Sequence, residues 1–185
     1  MTEKDRKKWD ARYLKGLGGM KPSFILVKYC HLSPVGKALD IACGNGRNSL
    51  FLAEKGFTVD AVDISKVATS QLAGRHPNIN VICTDLDTWN VQPNQYELII
   101  NIRFLDRRLF PMIYEGLKPG GLLLFESFLD GKKERYRLQQ KELLRAFQSF
   151  QIVYYEERKA EQTQKFEQIA TLVATKPNIE TAKPQ

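Results

Sequence analysis

The chain has 185 residues, of which 43% are hydrophobic and 26% are charged, and its formal net charge is +7 at pH 7. This length suits one domain with a core large enough to fold without disulfides, and it leaves no room for a second domain. The composition is that of an ordinary globular protein, and no apolar run approaches the roughly 20 residues that cross a bilayer, so the sequence argues against a membrane-spanning protein.

The cysteines and histidines indicate a reducing compartment and no metal site. Three cysteines are spread along the chain: Cys30, Cys43 and Cys83. Their odd number and the lack of a CxxC pair favour free thiols, and the charged first eight residues do not lead into a signal-peptide apolar region. We therefore expect a cytoplasmic protein. His31 and His76 lie far apart without ligand spacing around them, so no metal site is predicted.

The positive charge invites comparison with nucleic-acid-binding proteins, because basic faces bind phosphate. Much of the excess lies in the termini and in residues 132–137, and no stripe of basic residues alternates with aromatic ones. A solvated surface or a preference for anionic small molecules is therefore favoured over nucleic acid. No membrane partner is predicted.

The first 35 residues predict two helices joined by glycines. Residues 4–14 carry helical signals and place Trp9 and Tyr13 four residues apart on one face. Three glycines between residues 16 and 19 form a flexible joint. Pro22 then starts a second helix over residues 23–31. The first helix is either a cap packed on the domain or a lid over a ligand.

A strand, a turn, a helix and a second strand follow. Residues 38–41 are mostly apolar, and the Gly44-Asn45-Gly46 turn ends that strand. The next apolar residues recur at helical spacing until Gly56, and the second strand runs over residues 58–62 and ends on Asp63. This pattern predicts a parallel βαβ unit.

The remaining elements continue this alternation. Strands are predicted at residues 79–84 and 96–102, and the second of these is apolar enough to be buried on both faces. Ser65 is a good N-cap for a helix over residues 66–74. Further helices are predicted over residues 107–117 and 138–147. A Pro-Gly-Gly turn precedes a strand over residues 122–128, and the last two strands cover residues 150–156 and 166–175.

The βαβ unit has the residue types of a nucleoside site. Two glycines let the backbone pass close beneath a ligand, and Asp63, about 20 residues further on, is placed to accept hydrogen bonds from both ribose hydroxyls. Asp40 is costly inside a strand unless it is paired, and a ligand ammonium group would pair with it. The alternative is a generic crossover whose glycines only allow tight packing. Ser49 fills the third small position of the dinucleotide fingerprint imperfectly.

The run Leu39-Asp40-Ile41-Ala42-Cys43-Gly44-Asn45-Gly46 resembles the first motif of class I S-adenosylmethionine-dependent methyltransferases, and Asp63 matches their second motif. The continuation Arg47-Asn48-Ser49 and the chain length resemble the small bacterial group that includes the tellurite-resistance and thiopurine methyltransferases. The resemblance covers approximately residues 9–176. Within the motif, Cys43 either fills a small buried space or approaches the ligand.

The resemblance implies an α/β fold: a Rossmann-like three-layer α/β/α sandwich around a seven-stranded, mostly parallel sheet with a closing antiparallel hairpin. It implies one domain over residues 1–176, with lid helices in residues 1–35, and a loose tail over residues 177–185. The implied cofactor is S-adenosylmethionine, and the implied product is S-adenosylhomocysteine.

The resemblance also implies the residues of the cofactor site. Trp9 and Tyr13 would approach the methionine end, whereas Asp85 would accept from the adenine amino group and the Leu86 N–H would meet a ring nitrogen. Asp87, two residues on, is an alternative to Asp85. The predicted cofactor-binding residues are Trp9, Tyr13, Asp40, Ala42, Gly44, Gly46, Asn48, Asp63, Ile64, Asp85, Leu86 and Asn101.

The methyl acceptor is less well defined. Arg103 and Phe104 follow the fourth strand near the expected methyl position, and residues 101–110 resemble a loop of small bacterial methyltransferases. No Asn-Pro-Pro-Tyr motif occurs there, which argues against methylation of exocyclic base amines. Candidate catalytic residues are Tyr13, Arg103 and Glu126, although a structural role for Glu126 is favoured. Residues 130–137 form a polar insertion expected to border the substrate entrance.

Three functions remain open. The first is in-line methyl transfer to a small-molecule acceptor, which needs alignment more than a dedicated base. The second is methylation of RNA or protein through the basic surface. The third is binding of S-adenosylmethionine without catalysis.

Overall fold

The computed structural model describes residues 3–129, 136–159 and 168–178. Its seven strands are β1 (Lys37–Ile41), β2 (Thr58–Asp63), β3 (Ile79–Cys83), β4 (Tyr96–Ile102), β5 (Leu117–Leu129), β6 (Gln151–Lys159) and β7 (Gln168–Thr175). Its six α-helices within the described residues are α1 (Glu3–Leu14), α2 (Phe24–Tyr29), α3 (Arg47–Glu54), α4 (Lys66–Leu72), α5 (Leu109–Gly116) and α6 (Glu142–Ala146).

The strands form one sheet in the order β3-β2-β1-β4-β5-β7-β6. The first five strands in this order are parallel to one another, and β7 runs antiparallel to both β5 and β6. The predicted Rossmann-like sandwich with a closing antiparallel hairpin is therefore confirmed. Because the chain order reverses between β1 and β4, the carboxyl ends of these two strands flank a crevice where α/β proteins bind ligands.

Alternate residues of the central strands pack into two cores, one on each face of the sheet. On one face, Ile99 of β4 packs in a cluster that includes residues of α5 and α6. On the other face, Leu98 packs with residues of α2, α3 and α4. Continuous apolar strands are expected where helices cover both faces of a parallel sheet.

Two predicted elements differ from the structure. The helix predicted over residues 138–147 is limited to α6, because Leu138 instead forms a bridge with Leu129, where its N–H donates to the Phe128 carbonyl. The Pro-Gly-Gly segment is counted within β5 as a register irregularity, since Tyr96 pairs with Leu117 and the next paired residues are Leu98 and Leu122. The polar insertion at residues 130–137 and the tail at residues 177–185 lie mostly outside the described residues.

Candidate active site

The turn between β1 and α3 requires glycine at two positions for two different reasons. Gly44 and Gly46 both have left-handed backbone conformations, with φ of 58° and 79°. A Cβ on Gly44 would collide with the hydroxyl of Tyr13, whereas a Cβ on Gly46 would collide with the side chain of Leu72 in α4. Gly44 therefore allows α1 to pack against the turn, and Gly46 allows α4 to do so.

Asp63 lies at the end of β2 with its carboxylate facing this turn. Its Oδ2 accepts the Gly44 N–H at 2.8 Å, and its Oδ1 accepts the Ser65 N–H at 2.8 Å. Burial raises the pKa of Asp63, although these two backbone hydrogen bonds oppose the shift. A carboxylate offers about four acceptor positions, so two remain for ligand hydroxyls.

Asp40 lies at the end of β1 and is only 1% exposed. Ser49 donates its hydroxyl to Asp40 Oδ2 at 2.6 Å, and no basic side chain within the described ranges forms an ion pair with this carboxylate. Burial raises the pKa of Asp40 to about 7, because ionising a carboxyl group away from water is unfavourable. Asp40 is thus a buried acid that forms no ion pair within the part of the chain that the structure describes.

These groups face one cavity of about 620 Å³ at the carboxyl ends of β1, β2 and β4. The structure brings nine of the predicted site residues together in its lining: Trp9, Tyr13, Asp40, Ala42, Gly44, Asn48, Asp63, Ile64 and Arg103. Asn48 is fixed there because its Oδ1 accepts the Ser23 N–H at 2.9 Å. Ala42 adopts a positive φ of 54°, unusual for a residue with a side chain.

The other predicted site residues do not line this cavity. Leu86 and Asn101 are buried beside the core, and the side-chain amide of Asn101 donates to the Phe104 carbonyl at 3.2 Å. Asp85 Oδ1 accepts the Asp87 N–H at 2.9 Å. The alternative residue Asp87 forms an ion pair with Arg108 at 2.5 Å.

Gly46 and Glu126 also lie outside the cavity lining. Gly46 packs against Leu72, as described above. The Thr171 hydroxyl lies 3.4 Å from a carboxylate oxygen of Glu126, its partner residue across the β5–β7 pair. The side chain of Glu126 therefore faces a neighbouring strand rather than the cavity.

Helix α1 forms one wall of the cavity and is anchored by a carboxylate. Asp10 Oδ1 accepts the Ser65 hydroxyl at 2.7 Å and the Val67 N–H at 3.1 Å. Burial opposes ionisation of Asp10, but these hydrogen bonds prevail and lower its pKa. On the same helix, the rings of Trp9 and Tyr13 lie 6.4 Å apart.

Tyr13 and Cys43 keep their protons at neutral pH. Burial and the negative charge of Asp63 raise the pKa of Tyr13 far above its ordinary value. Burial likewise raises the pKa of Cys43, whose thiol points to the Gly44 carbonyl at 3.5 Å. Both side chains are therefore neutral, which suits binding better than proton abstraction.

Sequence reasoning did not assign roles to Arg47 and Asp10. Arg47 lines the cavity and donates to the Lys21 carbonyl at 3.1 Å and to the Ser23 hydroxyl at 3.0 Å. Its place directly after the glycine turn was a usable signal. The local signal of Asp10 is only its ion pair with Arg6, one helical turn away at 3.3 Å, whereas the Ser65 hydroxyl and the Val67 N–H that it accepts lie more than 50 residues away in the chain.

No helix within the described ranges is long and apolar enough to cross a membrane. In the same residues, no three potential metal ligands cluster around a common point.

Comparison with known proteins identifies the domain. Residues 38–121 match the family model described as a methyltransferase domain. The chain is 33% identical over 89 residues to TehB of Haemophilus influenzae, a match that covers 44% of this chain and 31% of TehB. It is 30% identical over 104 residues to YqeM of Bacillus subtilis, covering 49% of this chain and 42% of YqeM. The chain thus spans less than half the length of either relative.

Solved structures agree on the fold. The crystal structure of TehB from Haemophilus influenzae superposes with a TM-score of 0.76 at 21% identity, over 91% of this chain and 67% of that one. A Burkholderia thailandensis 1,6-didemethyltoxoflavin-N1-methyltransferase with bound S-adenosylhomocysteine superposes with a TM-score of 0.71 at 16% identity, over 94% of this chain and 87% of that one. The chain therefore contains a class I S-adenosylmethionine-dependent methyltransferase domain, distantly similar to TehB.

Proposed function

We propose that this protein transfers a methyl group from S-adenosylmethionine to a small-molecule acceptor. The observation that carries the proposal is the pair of buried acids, Asp40 and Asp63, at the ends of the adjacent parallel strands β1 and β2. Both line the same cavity, and neither forms an ion pair with another described residue.

The residues present fit this cofactor. Asp40 would bind its ammonium group, and the free acceptor positions of Asp63 would bind its ribose hydroxyls. Because Gly44 has no side chain, a ligand can lie close to the backbone of the turn. Tyr13, as a neutral phenol, adds a hydrogen-bond donor. Asp85 and Leu86 remain our prediction for the adenine end.

S-adenosylmethionine supplies an activated methyl group on a sulfonium, and its transfer to an acceptor nucleophile leaves S-adenosylhomocysteine. The protein's contribution is alignment and exclusion of water, and alignment alone can supply on the order of 7–11 kcal/mol. Small-molecule acceptors are supported by the named activity of the Burkholderia thailandensis structure and by phosphoethanolamine N-methyltransferase 1 of Arabidopsis thaliana, 27% identical over 127 residues.

Asp63→Asn tests the proposal. The variant keeps one acceptor oxygen but loses the charge, so we expect S-adenosylhomocysteine to bind about tenfold or more weakly, as for loss of hydrogen bonds to a charged group. Titration calorimetry measures this. The matched control is Asp60→Asn, which neutralises another buried acid of β2 that lies outside the cavity and binds Tyr96 and Lys37.

The control should keep wild-type affinity even if the protein is less stable. If Asp63→Asn and the wild-type protein bind S-adenosylhomocysteine with equal affinity, Asp63 does not bind the cofactor. Preferential binding of NAD by the wild-type protein would contradict the proposed cofactor.

A further inference from the structure

Three arginines line the cavity, Arg12, Arg47 and Arg103, and none of them forms an ion pair with a carboxylate of the described residues. The guanidinium of Arg12 lies over the Trp9 ring, 4.5 Å from its centroid. Among the described residues, the guanidinium of Arg47 donates to neutral groups, the Lys21 carbonyl and the Ser23 hydroxyl. Arg103 forms no ion pair with any carboxylate of residues 3–129, 136–159 and 168–178. The positive charges of Arg47 and Arg103 also interact, because burial and then repulsion from Arg103 lower the pKa of Arg47. Arg47 and Arg103 therefore each offer a positive charge to a negative group of a ligand, although the charges of Asp40 and Glu126 also attract Arg47.

The cofactor accounts for one of these negative groups. S-adenosylmethionine carries one carboxylate, and we assign it to Arg47, because Arg47 begins the helix that follows the glycine turn. Ser49, which binds Asp40, belongs to the same helix. The cofactor has no second anionic group, so Arg103 is left for another ligand.

Arg103 is held in place at the end of β4. Its N–H donates to the Glu126 carbonyl at 2.6 Å, and its backbone adopts a left-handed conformation with φ of 61°. A residue other than glycine rarely adopts such a conformation, so the surrounding structure must enforce it. The side chain is exposed on the cavity side, where a second ligand has access.

The walls next to Arg103 are apolar and aromatic. Ile102, Phe104 and Phe128 line the same part of the chain's cavity. A planar guanidinium binds a carboxylate through two parallel hydrogen bonds, and aromatic rings favour a flat apolar group beside it. An inorganic oxyanion could bind the guanidinium, but it would leave these apolar surfaces in contact with water. An organic anion would cover them.

We propose that the methyl acceptor is a small organic anion whose negative group binds Arg103 and whose apolar body packs against Phe104 and Phe128. This inference rests on the proposed function, because it assumes that the cofactor fills the side of the cavity near Asp40 and Asp63.

Binding of a matched pair of probes tests the acceptor class without requiring turnover. Benzoate and benzamide have nearly the same shape but differ in charge, and each is titrated into the protein saturated with S-adenosylhomocysteine. We expect the wild-type complex to bind benzoate at least about tenfold more tightly than benzamide, as for a charge-assisted pair. In Arg103→Gln the preference should fall below about threefold, and Arg103→Lys should restore part of it.

The control variant is Arg145→Gln, which removes an exposed arginine of α6 outside the cavity and should keep the full preference. Affinity for S-adenosylhomocysteine should change less than about threefold in Arg103→Gln, because the cofactor carboxylate is assigned to Arg47.

Several outcomes would overturn the inference. Equal affinities for benzoate and benzamide, no binding of either probe, or an unchanged preference in Arg103→Gln would each do so. Binding of selenite without binding of benzoate would show an inorganic anion site instead. Failure of the wild-type protein to bind S-adenosylhomocysteine would be a different result, since it would overturn the proposed function itself.

Discussion

The two sides that we propose for the cavity, one for the methyl donor around Asp40 and Asp63 and one for the acceptor around Arg103, are built differently. On the donor side, the carboxylates of Asp40 and Asp63 are buried and held by hydrogen bonds from Ser49, Gly44 and Ser65. On the acceptor side, the guanidinium of Arg103 is exposed and lies among apolar side chains. A preformed donor side fixes one ligand in one orientation, whereas a single charge beside apolar walls selects a class of ligands.

The difference explains why the sequence identifies the cofactor more readily than the acceptor. The donor side is made largely from consecutive residues of one βαβ unit. The proposed acceptor side combines the ends of β4 and β5, so its chemistry depends on the folded chain. Substitutions that weaken the donor side alone test whether the two sides bind their ligands independently.

The largest expected effect comes from Asp40→Asn, which should stabilise the protein while weakening cofactor binding. The pKa of Asp40 is raised from an ordinary value of 3.8 to about 7, so the folded state binds its proton more tightly than the unfolded state does. Stability is therefore lost as the pH rises through about 7. Asparagine keeps an acceptor for Ser49, and we expect unfolding at pH 8 to require on the order of 3 kcal/mol more.

Urea unfolding at pH 8 and pH 4 measures this effect, which should disappear at pH 4. In wild-type protein, affinity for S-adenosylhomocysteine should fall as the pH drops from 8 to 6, because protonated Asp40 cannot pair with an ammonium group. If Asp40→Asn is less stable than the wild-type protein at pH 8, ionisation of the buried Asp40 carboxyl group does not destabilise the folded state as we expect.

A smaller effect is expected for Gly44→Ala. Alanine at φ of 58° is strained by about 1 kcal/mol, and its methyl group would also displace the Tyr13 hydroxyl. Gly74→Ala is the matched control, since Gly74 has φ of 74° but no atom within 4 Å of an added Cβ. Calorimetry should show about tenfold weaker binding of S-adenosylhomocysteine for Gly44→Ala only. Equal losses in both variants would reduce the role of Gly44 to backbone conformation.

The smallest effect is expected for Asp10→Ala, which removes the anchor between α1 and α4. Loss of a capping interaction costs about 1 kcal/mol, and the freed wall should weaken cofactor binding by about threefold. Lys8→Ala, an exposed change on the same helix, should leave both quantities unchanged. Thermal unfolding and calorimetry compare the two variants, and identical behaviour would show that α1 is positioned by other contacts.

Local patterns predicted most of the fold. The Ser65 cap of α4 is confirmed, because its hydroxyl accepts the Ala68 N–H at 3.1 Å, and β4 has the predicted bounds. The helix predicted over residues 138–147 was wrong at its start. Leu143 and Phe147 have helical spacing and are buried, but Leu138 is buried through a bridge to β5. Apolar spacing cannot distinguish these two ways of burying a leucine.

For the candidate site too, the sequence was informative where residues close together in the chain act together. Residues that belong to a local motif, such as Gly44 and Asp63, could be assigned from the sequence to one ligand. Asp10 could not, since its partners Ser65 and Val67 are distant in the chain and its pairing with Arg6, four residues away, is ordinary for a helix surface. Arg103 was noticed, but only the folded protein shows that no carboxylate of the described residues pairs with it.

The Asp10 hydrogen bonds have one further consequence. Trp9 and Tyr13 flank this residue on α1, and the helix joins the rest of the chain through the glycines at positions 16, 18 and 19. The aromatic wall is thus fastened by side chains instead of by strand pairing. We expect that breaking the Asp10 hydrogen bonds would let α1 move, so that a ligand could enter or leave while the seven-stranded sheet stays intact.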